Sequence, residues 1–371
     1  MTDIVIEELK GVGRVELTLD DKARVFTLFG SNGVGKTKCL EALYQMWLCR
    51  HRQAGELVQQ GHWSVMASLS IDGEPAFVMR PPVRSGIAVD IRQHADAAPH
   101  DRPVVMVGAV GRSSLTAAQS RSQHYLGSFE ERQQRYFARI GDTLQSGGLA
   151  QAAMEEDVAA WFVLRAQSVN PYQKGADNRR IEIDTVLEML HALDERIDAH
   201  SLQVDGSGQV SLQIEGEWRQ LDELSSGFAS LLRLVQAIVA GYAAFSDTAS
   251  LRELAGIVLI DEIESHLHVS WQTTIIAVLK HLLPHTTFYV ATHSPLVLTQ
   301  LEEGEAYLLV RDDAGVVRST LIDSPDKRAF VDVLDSALGV DLNALKRESL
   351  SNDDQSEAKS RLLGLLKGEE G

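Results

Sequence analysis

Cysteine is almost missing from this chain: Cys39 and Cys49 are the only two in 371 residues, and they form neither a CxxC motif nor a disulfide framework. Both read as reduced packing residues. Positive charge is also short, since 35 Lys and Arg against 52 Asp and Glu leave a net charge of −17. That balance opposes long-range attraction to nucleic acid or anionic lipid. No run reaches the roughly eighteen unbroken apolar residues of a membrane span. The acidic, strand-like start MTDIVIEELKG lacks the basic end and apolar stretch of a secretory signal. The expected setting is therefore the cytoplasm, with no membrane partner. Internal repeats and heptads are absent as well.

What is present is an ordinary globular composition, 44% hydrophobic and 23% charged. The length calls for one large α/β domain with an insertion, or for two domains. Two apolar-rich strands, DIVIEEL and RVELTL, precede a third, RVFTLF, which runs straight into GSNGVGKT. Leu40, Leu43, Met46 and Trp47 then recur at helical spacing, so a helix starts at that loop. HWSVMASLSI and EPAFVMR flank Asp72-Gly73, a favoured hairpin turn, and predict an antiparallel flap. A short buried strand falls in RPVVMVGAVGR, residues 102–112, and residues 113–200 are polar and helical in pattern. SLQV and VSLQI form a second hairpin about the GSG turn at 206–208, and GIVLIDE, residues 256–262, reads as a buried strand ending in carboxylates. The helix WQTTIIAVLKHLL and the strand TTFYVATHSP close a βαβ unit, after which YLLV pairs with VVRSTLI. A last helix around AFVDVLDSAL and a polar tail with a weak amphipathic patch at Leu362 to Leu366 end the chain.

Three segments carry chemistry. Gly30 to Thr37, GSNGVGKT, fits the pattern GxxxxGK[ST] between a strand and a helix. Successive backbone N–H groups and a helix N-terminus can wrap phosphates there, Lys36 can reach the β and γ oxygens, and Thr37 can ligate Mg²⁺. Asn32, Gly33, Val34, Gly35, Lys36, Thr37 and Lys38 are the candidate nucleotide contacts. In Ile257 to Glu262, four apolar residues precede two acids, so a buried strand delivers Asp261 to Mg²⁺ while Glu262 polarises an attacking water. Leu224-Ser225-Ser226-Gly227-Phe228 stands before an apolar helical run. Serines and a glycine there can make an anion-binding helix cap; on local grounds an ordinary N-cap is the preferred reading, and what overturns it is the segment's place well after the glycine-rich loop and about thirty residues before the acidic strand.

In this order, GSNGVGKT, LSSGF, VLIDEIE, SHLH and ATHSP resemble the P-loop, signature, Walker B, D-loop and H-loop of ABC-type ATPases. The likeness is greatest to the soluble branch that contains RecF, the structural maintenance of chromosomes proteins and the OLD family. It covers residues 1–323. The resemblance implies an α/β fold, an ABC-type P-loop core with a mixed sheet, an antiparallel β flap and a helical insertion. Residues 1–112 would be an N-terminal ATPase lobe, 113–200 the insertion, 201–323 a C-terminal ATPase lobe, and 324–371 a terminal helix and tail. ATP and Mg²⁺ are the implied cofactors. Lys36, Glu262 and His293 would be catalytic, His293 sensing the γ-phosphate, and Thr37 and Asp261 would hold the metal. Ser225 and Gly227 would complete the nucleotide site of a second copy in a head-to-tail dimer or higher oligomer, with Ser265 and His266 at the seam.

The chain also departs from that pattern. Phe228 stands where Gln or Glu is frequent, Val269 follows His268 where proline is usual, and Gln119 is only a loosely spaced Q-loop candidate. Lys10 and Arg14 fall where relatives contact base or ribose. His266 with His268 lies inside the D-loop match, and His281 with His285 lacks the acidic third ligand of a zinc site. No long coiled coil separates P-loop from signature, and Asp312-Asp313 is not part of a Toprim nuclease series. The chain thus resembles the ATPase subunits of bacterial anti-phage systems. That implies a regulatory ATPase that dimerises around ATP and controls a separately encoded effector such as a nuclease. A RecF-like repair ATPase is the alternative and keeps nucleic acid open as a partner. A transporter subunit ranks lower for want of LSGGQ and a clear Q-loop.

Overall fold

The computed structural model describes residues 1–55, 65–78, 99–115, 125–154, 156–248 and 250–325. These belong to the first of two units, Met1–Asp326 and Lys327–Gly371. The expected helix around AFVDVLDSAL and the polar tail lie outside the described residues.

The strands are β1 (Thr2–Leu9), β2 (Gly13–Leu19), β3 (Val25–Phe29), β4 (Ser68–Ile71), β5 (Glu74–Val78), β6 (Val104–Val107), β7 (Ile197–Val204), β8 (Val210–Ile214), β9 (Glu217–Gln220), β10 (Ile257–Ile260), β11 (Thr287–Thr292), β12 (Ala306–Arg311) and β13 (Val317–Leu321). Ten of them form one mixed sheet in the order β5-β4-β1-β2-β13-β12-β3-β11-β10-β6, and β7-β8-β9 form a second, antiparallel sheet. From β12 to β6 every neighbour is parallel. β3, β6 and β10 are buried at every residue, the pattern of strands covered on both faces. β1 and β2 alternate inward and outward positions and pair antiparallel beside the β4–β5 hairpin.

Helix α1 (Lys36–Cys49) follows β3. In the insertion, α2 (Phe129–Ser146) starts at a capping box made by Ser128 and Glu131, and α3 (Val158–Ser168) and α4 (Arg180–Leu193) follow. The central helix is α5 (Ser226–Phe245), buried from Phe228 to Phe245. By length and composition, with a mean hydropathy of 1.6, α5 could cross a membrane. It is still not an unbroken apolar run of that length, because Ser230, Arg233 and Gln236 interrupt it, and the helix is buried inside the fold. A Cβ on Gly241 would lie 2.4 Å from Val105 Cγ2, so the bare backbone lets α5 lie directly on β6.

Two elements differ from the sequence pattern. The single helix expected over WQTTIIAVLKHLL is divided into α6 (Val269–Gln272) and α7 (Ile275–Leu282). At the break, the Thr273 and Thr274 hydroxyls donate back to Ser270 O at 2.9 and 3.3 Å, competing with the helical ladder. Strand β9, fully exposed along its length, carried no apolar alternation to announce it.

A charged cluster holds α3 to α4. Arg165 Nε and Arg179 Nε each donate to Glu182 at 2.6 Å, and Glu182 is 0% exposed. Removing the carboxylate from two buried guanidiniums is costly, about 3–5 kcal/mol for a broken buried pair. Glu182→Gln is therefore expected to lower the unfolding free energy by ~3 kcal/mol in urea denaturation. A loss below ~1 kcal/mol would show that both arginines find other solvation.

Candidate functional site

The loops that follow β3, β6, β10 and β11 all leave the same edge of the parallel strands, where ligands of α/β sheets bind. After β3, the chain makes the Gly-rich turn with Gly30, Gly33 and Gly35 at φ 152°, 79° and 117°. Gly35 is confined as well as left-handed: a Cβ there would meet Val12 at 2.9 Å. α1 starts at Lys36 without a side-chain cap, leaving its N-terminal N–H groups directed at the loop. Asn32 and Gly33 are exposed, Val34 is buried, and Lys38 donates to Glu41 Oε2 at 2.5 Å.

Lys36 is only 5% exposed. Its ammonium donates to Gly30 O at 2.8 Å, Ser31 O at 3.0 Å and His293 Nδ1 at 3.2 Å. Burial pushes it down to about 8, against the pull of Glu264, Asp261 and Glu262. His293 is likewise held below its ordinary value, by burial and then by the Lys36 charge. As Nδ1 accepts from Lys36, the neutral ring carries its proton on Nε2. Thr37 Oγ1 donates to both Asp261 oxygens at 3.0 Å. Burial pushes the Asp261 carboxyl up to about 6, and the Thr37 bond works against that rise. Lys36, Thr37, Asp261 and His293, distant in sequence, therefore meet in one place. A hydroxyl and a carboxylate side by side are the hard oxygen donors Mg²⁺ prefers, and a buried cation beside them suits a phosphate, so the residues fit Mg·ATP.

Two residues outside the sequence-derived set organise this site. Glu264 accepts from Thr292 Oγ1 at 2.7 Å and from His293 N at 2.6 Å, tying the end of β11 to the segment after β10. Its signal was the third acid of the DEIE run. Arg112, 0% exposed, directs its guanidinium at main-chain carbonyls of Gly108, Asp261, Glu262 and Ile263. Glu262 itself is half-buried with φ 42°, and His266 has φ 63°.

Ser225 and Gly227 occupy a different place. Ser225 caps α5 by accepting from Phe228 N at 3.3 Å, and both residues line an open groove with His266, His268, Trp271 and Arg196. Lys36, Thr37, Asp261 and Glu262 do not line that groove. A Cβ on Gly227 would meet His266 O at 2.8 Å, and Ser230 Oγ donates to Ser265 O at 2.8 Å, so the start of α5 is packed on the D-loop of its own chain. Phe228 is buried against Trp271 with ring centroids 6.2 Å apart, which accounts for an aromatic at that position. Gln119 lies outside the described residues. Arg14 is paired with Glu7 and Glu16, and Lys10 N donates to Val65 O at 2.7 Å.

A family described as "AAA domain, putative AbiEii toxin, Type IV TA system" matches residues 120–299. The chain is 22% identical to the Septu protein PtuA of Bacillus mycoides (strain KBAB4) over 306 residues, covering 81% of this chain but 38% of that protein. It is 24% identical to the Septu protein PtuA of Bacillus thuringiensis over 325 residues, 84% of this chain and 78% of that one. A 44-residue stretch, 12% of this chain and 9% of the relative, is 59% identical to the Retron Vc95 probable ATPase of Vibrio cholerae serotype O1 biovar El Tor.

Proposed function

We propose that this chain, an ABC-type P-loop ATPase, binds Mg·ATP between two copies and uses the ATP-closed pair to control a separately encoded effector, a nuclease, in anti-phage defence. The single observation that carries the shared site is the separation described above. One surface gathers Lys36, Thr37, Asp261 and His293, while Ser225 and Gly227 line another groove with the D-loop. A second copy would bring its α5 N-terminus, a dipole end with free N–H groups, to the γ-phosphate held by Lys36. Within one protomer, Lys36 and the loop N–H groups bind the phosphates, Thr37 and Asp261 would hold Mg²⁺, and Glu262 takes the proton of the attacking water. His293, aimed by Glu264 through its backbone N–H and contacting Lys36, reads whether the γ-phosphate is present. Bound Mg²⁺ would supply charge neutralisation on the phosphate oxygens. The defensive role and the effector rest on the likeness to Septu and retron ATPases. The charge of −17 favours a protein partner over nucleic acid, and a cytoplasmic setting fits that reading.

Complementation tests the shared site. Gly227→Asp would disturb the chain's own D-loop through His266 O, so exposed Ser225 is the better position. Lys36→Ala and Ser225→Arg, each inactive alone, give mixed dimers with one doubly defective and one intact site. The mixture is expected to regain up to about a quarter of wild-type specific activity, since random mixing makes half the dimers mixed and each has one working site of two. Full activity of Ser225→Arg alone would refute the trans role of the signature.

A further inference from the structure

We infer that Arg112 is a positioning residue for hydrolysis: its buried guanidinium grips the main chain that carries Asp261 and Glu262. The inference rests on the reading of Glu262 as proton acceptor. Nε and Nη2 of Arg112 donate to Gly108 O at 3.1 and 2.7 Å, and Nη1 donates to Glu262 O at 3.0 Å and approaches Ile263 O at 3.5 Å. Nη2 also donates to Asp261 O. Every one of these acceptors is a main-chain carbonyl. Arginine buried at an ion pair ordinarily presents its fork to a carboxylate. Here three carboxylates, Asp261, Glu264 and Glu262, lie near enough to favour the charge against burial, which pushes it down to about 10, yet the fork is spent on backbone.

That expenditure falls where the backbone needs holding. Glu262 sits at φ 42°, the left-handed region that a non-glycine residue enters only when its surroundings impose it. Its carbonyl receives one bond from Ser265 N at 2.8 Å and one from Arg112. Without the second, Glu262 gains freedom to relax toward an ordinary conformation, and the carboxylate swings with it. Lys36 and Thr37, the residues read as meeting ATP, donate to Gly30 O, Ser31 O and the Asp261 carboxylate and not to these carbonyls.

Arg112 also stands where three parts of the fold meet. On one side, Gly108 N and Val110 N donate to Ala152 O and Ala150 O at 3.0 and 2.9 Å, seating the insertion on the Arg112 loop. A Cβ on Gly108 would fall 2.2 Å from Ala150 O, so the seat is close. On the other side, Arg233 of α5 donates to Ser114 O at 2.8 Å. The insertion and the signature helix therefore both bear on the loop that fixes Glu262.

Arg112→Lys tests this, because one ammonium cannot span carbonyls of Gly108 and of residues 261–263 together. ATP affinity by calorimetry is expected to stay within about threefold, while single-turnover hydrolysis falls ~10–100-fold, the scale of a small misplacement at a reacting centre. In a Glu262→Gln background the same change should add less than about twofold, since both act through one residue. A wild-type rate in Arg112→Lys, with Glu262→Gln inactive, would overturn the assignment. So would an additive loss in the double variant, or a joint fall of ATP affinity and melting temperature, either of which makes Arg112 scaffold. Arg112→Gln, judged by the same split, serves if the Lys variant does not fold. Failure of the Glu262 reading shows separately, as normal turnover in Glu262→Gln alone.

Discussion

Lys36→Ala is expected to abolish measurable ATP binding, weakening it by at least ~4 kcal/mol, about a thousandfold. Lys36 is the cation of the glycine turn and is almost wholly buried, so the contact with phosphate forms where water screens little. Removing it leaves the phosphates to backbone N–H groups alone. A second signature follows from its depressed pKa of about 8. An incoming polyphosphate favours the charged amine, so binding takes up a proton near that pH, and wild-type affinity should fall as pH rises above about 8. In Lys36→Ala any residual affinity should lack this slope. Calorimetry at two pH values checks both points, and wild-type-like affinity in the variant would remove Lys36 from the phosphate site.

Much of this architecture was written locally. The β3–loop–α1 succession needed only a buried strand, three glycines and apolar residues at helical spacing, and the structure places all of them as the pattern required. Ser225 was legible as a cap because capping chemistry acts over three residues. What escaped was long-range or lacked periodicity. β13 pairs with β2 across some three hundred positions, an adjacency no window of sequence encodes. Arg112 reaches carbonyls 149 to 151 residues away, and its acceptors are backbone, which carries no residue signal at all. Glu264 was visible as an acid but not as the group that seats His293. The division of α6 from α7 could have been suspected from Thr273-Thr274, a β-branched pair able to bond backward. β9 could not, because an exposed, polar strand is held by its partner β8 alone.

Gly227 shows how a functional and a packing explanation can share one residue. The resemblance gives it a phosphate across a dimer seam, whereas the fold gives it His266 O at 2.8 Å from where a Cβ would stand. Packing alone therefore demands glycine there. The case for a trans site has to stand on Ser225, which is exposed and whose hydroxyl caps α5 by accepting from Phe228 N.

Glu262→Gln is expected to bind ATP normally and to hydrolyse it at least ~100-fold more slowly, the scale for losing a general base. The amide keeps the volume of the side chain and leaves the carbonyl grip of Arg112 and Ser265 in place, so the loss is one of proton acceptance. The competing acceptor is Asp261, whose carboxyl burial pushes up to about 6, nearer to neutral than an ordinary carboxylate. Its position argues against it. Both of its oxygens already face Thr37 Oγ1, and a cation held there would draw its pKa down and occupy the lone pairs a proton needs. Glu262 is left as the acid next along the chain, half-buried and in no ion pair among the described residues. With hydrolysis blocked and binding intact, the ATP-bound pair should accumulate, seen as an ATP-dependent shift from monomer to dimer in size-exclusion chromatography. Single-turnover measurement decides the chemistry. If Glu262→Gln turns over at the wild-type rate, the proton goes elsewhere, and Asp261→Asn, which otherwise loses Mg²⁺ affinity first, becomes the variant that must stop the reaction at saturating metal.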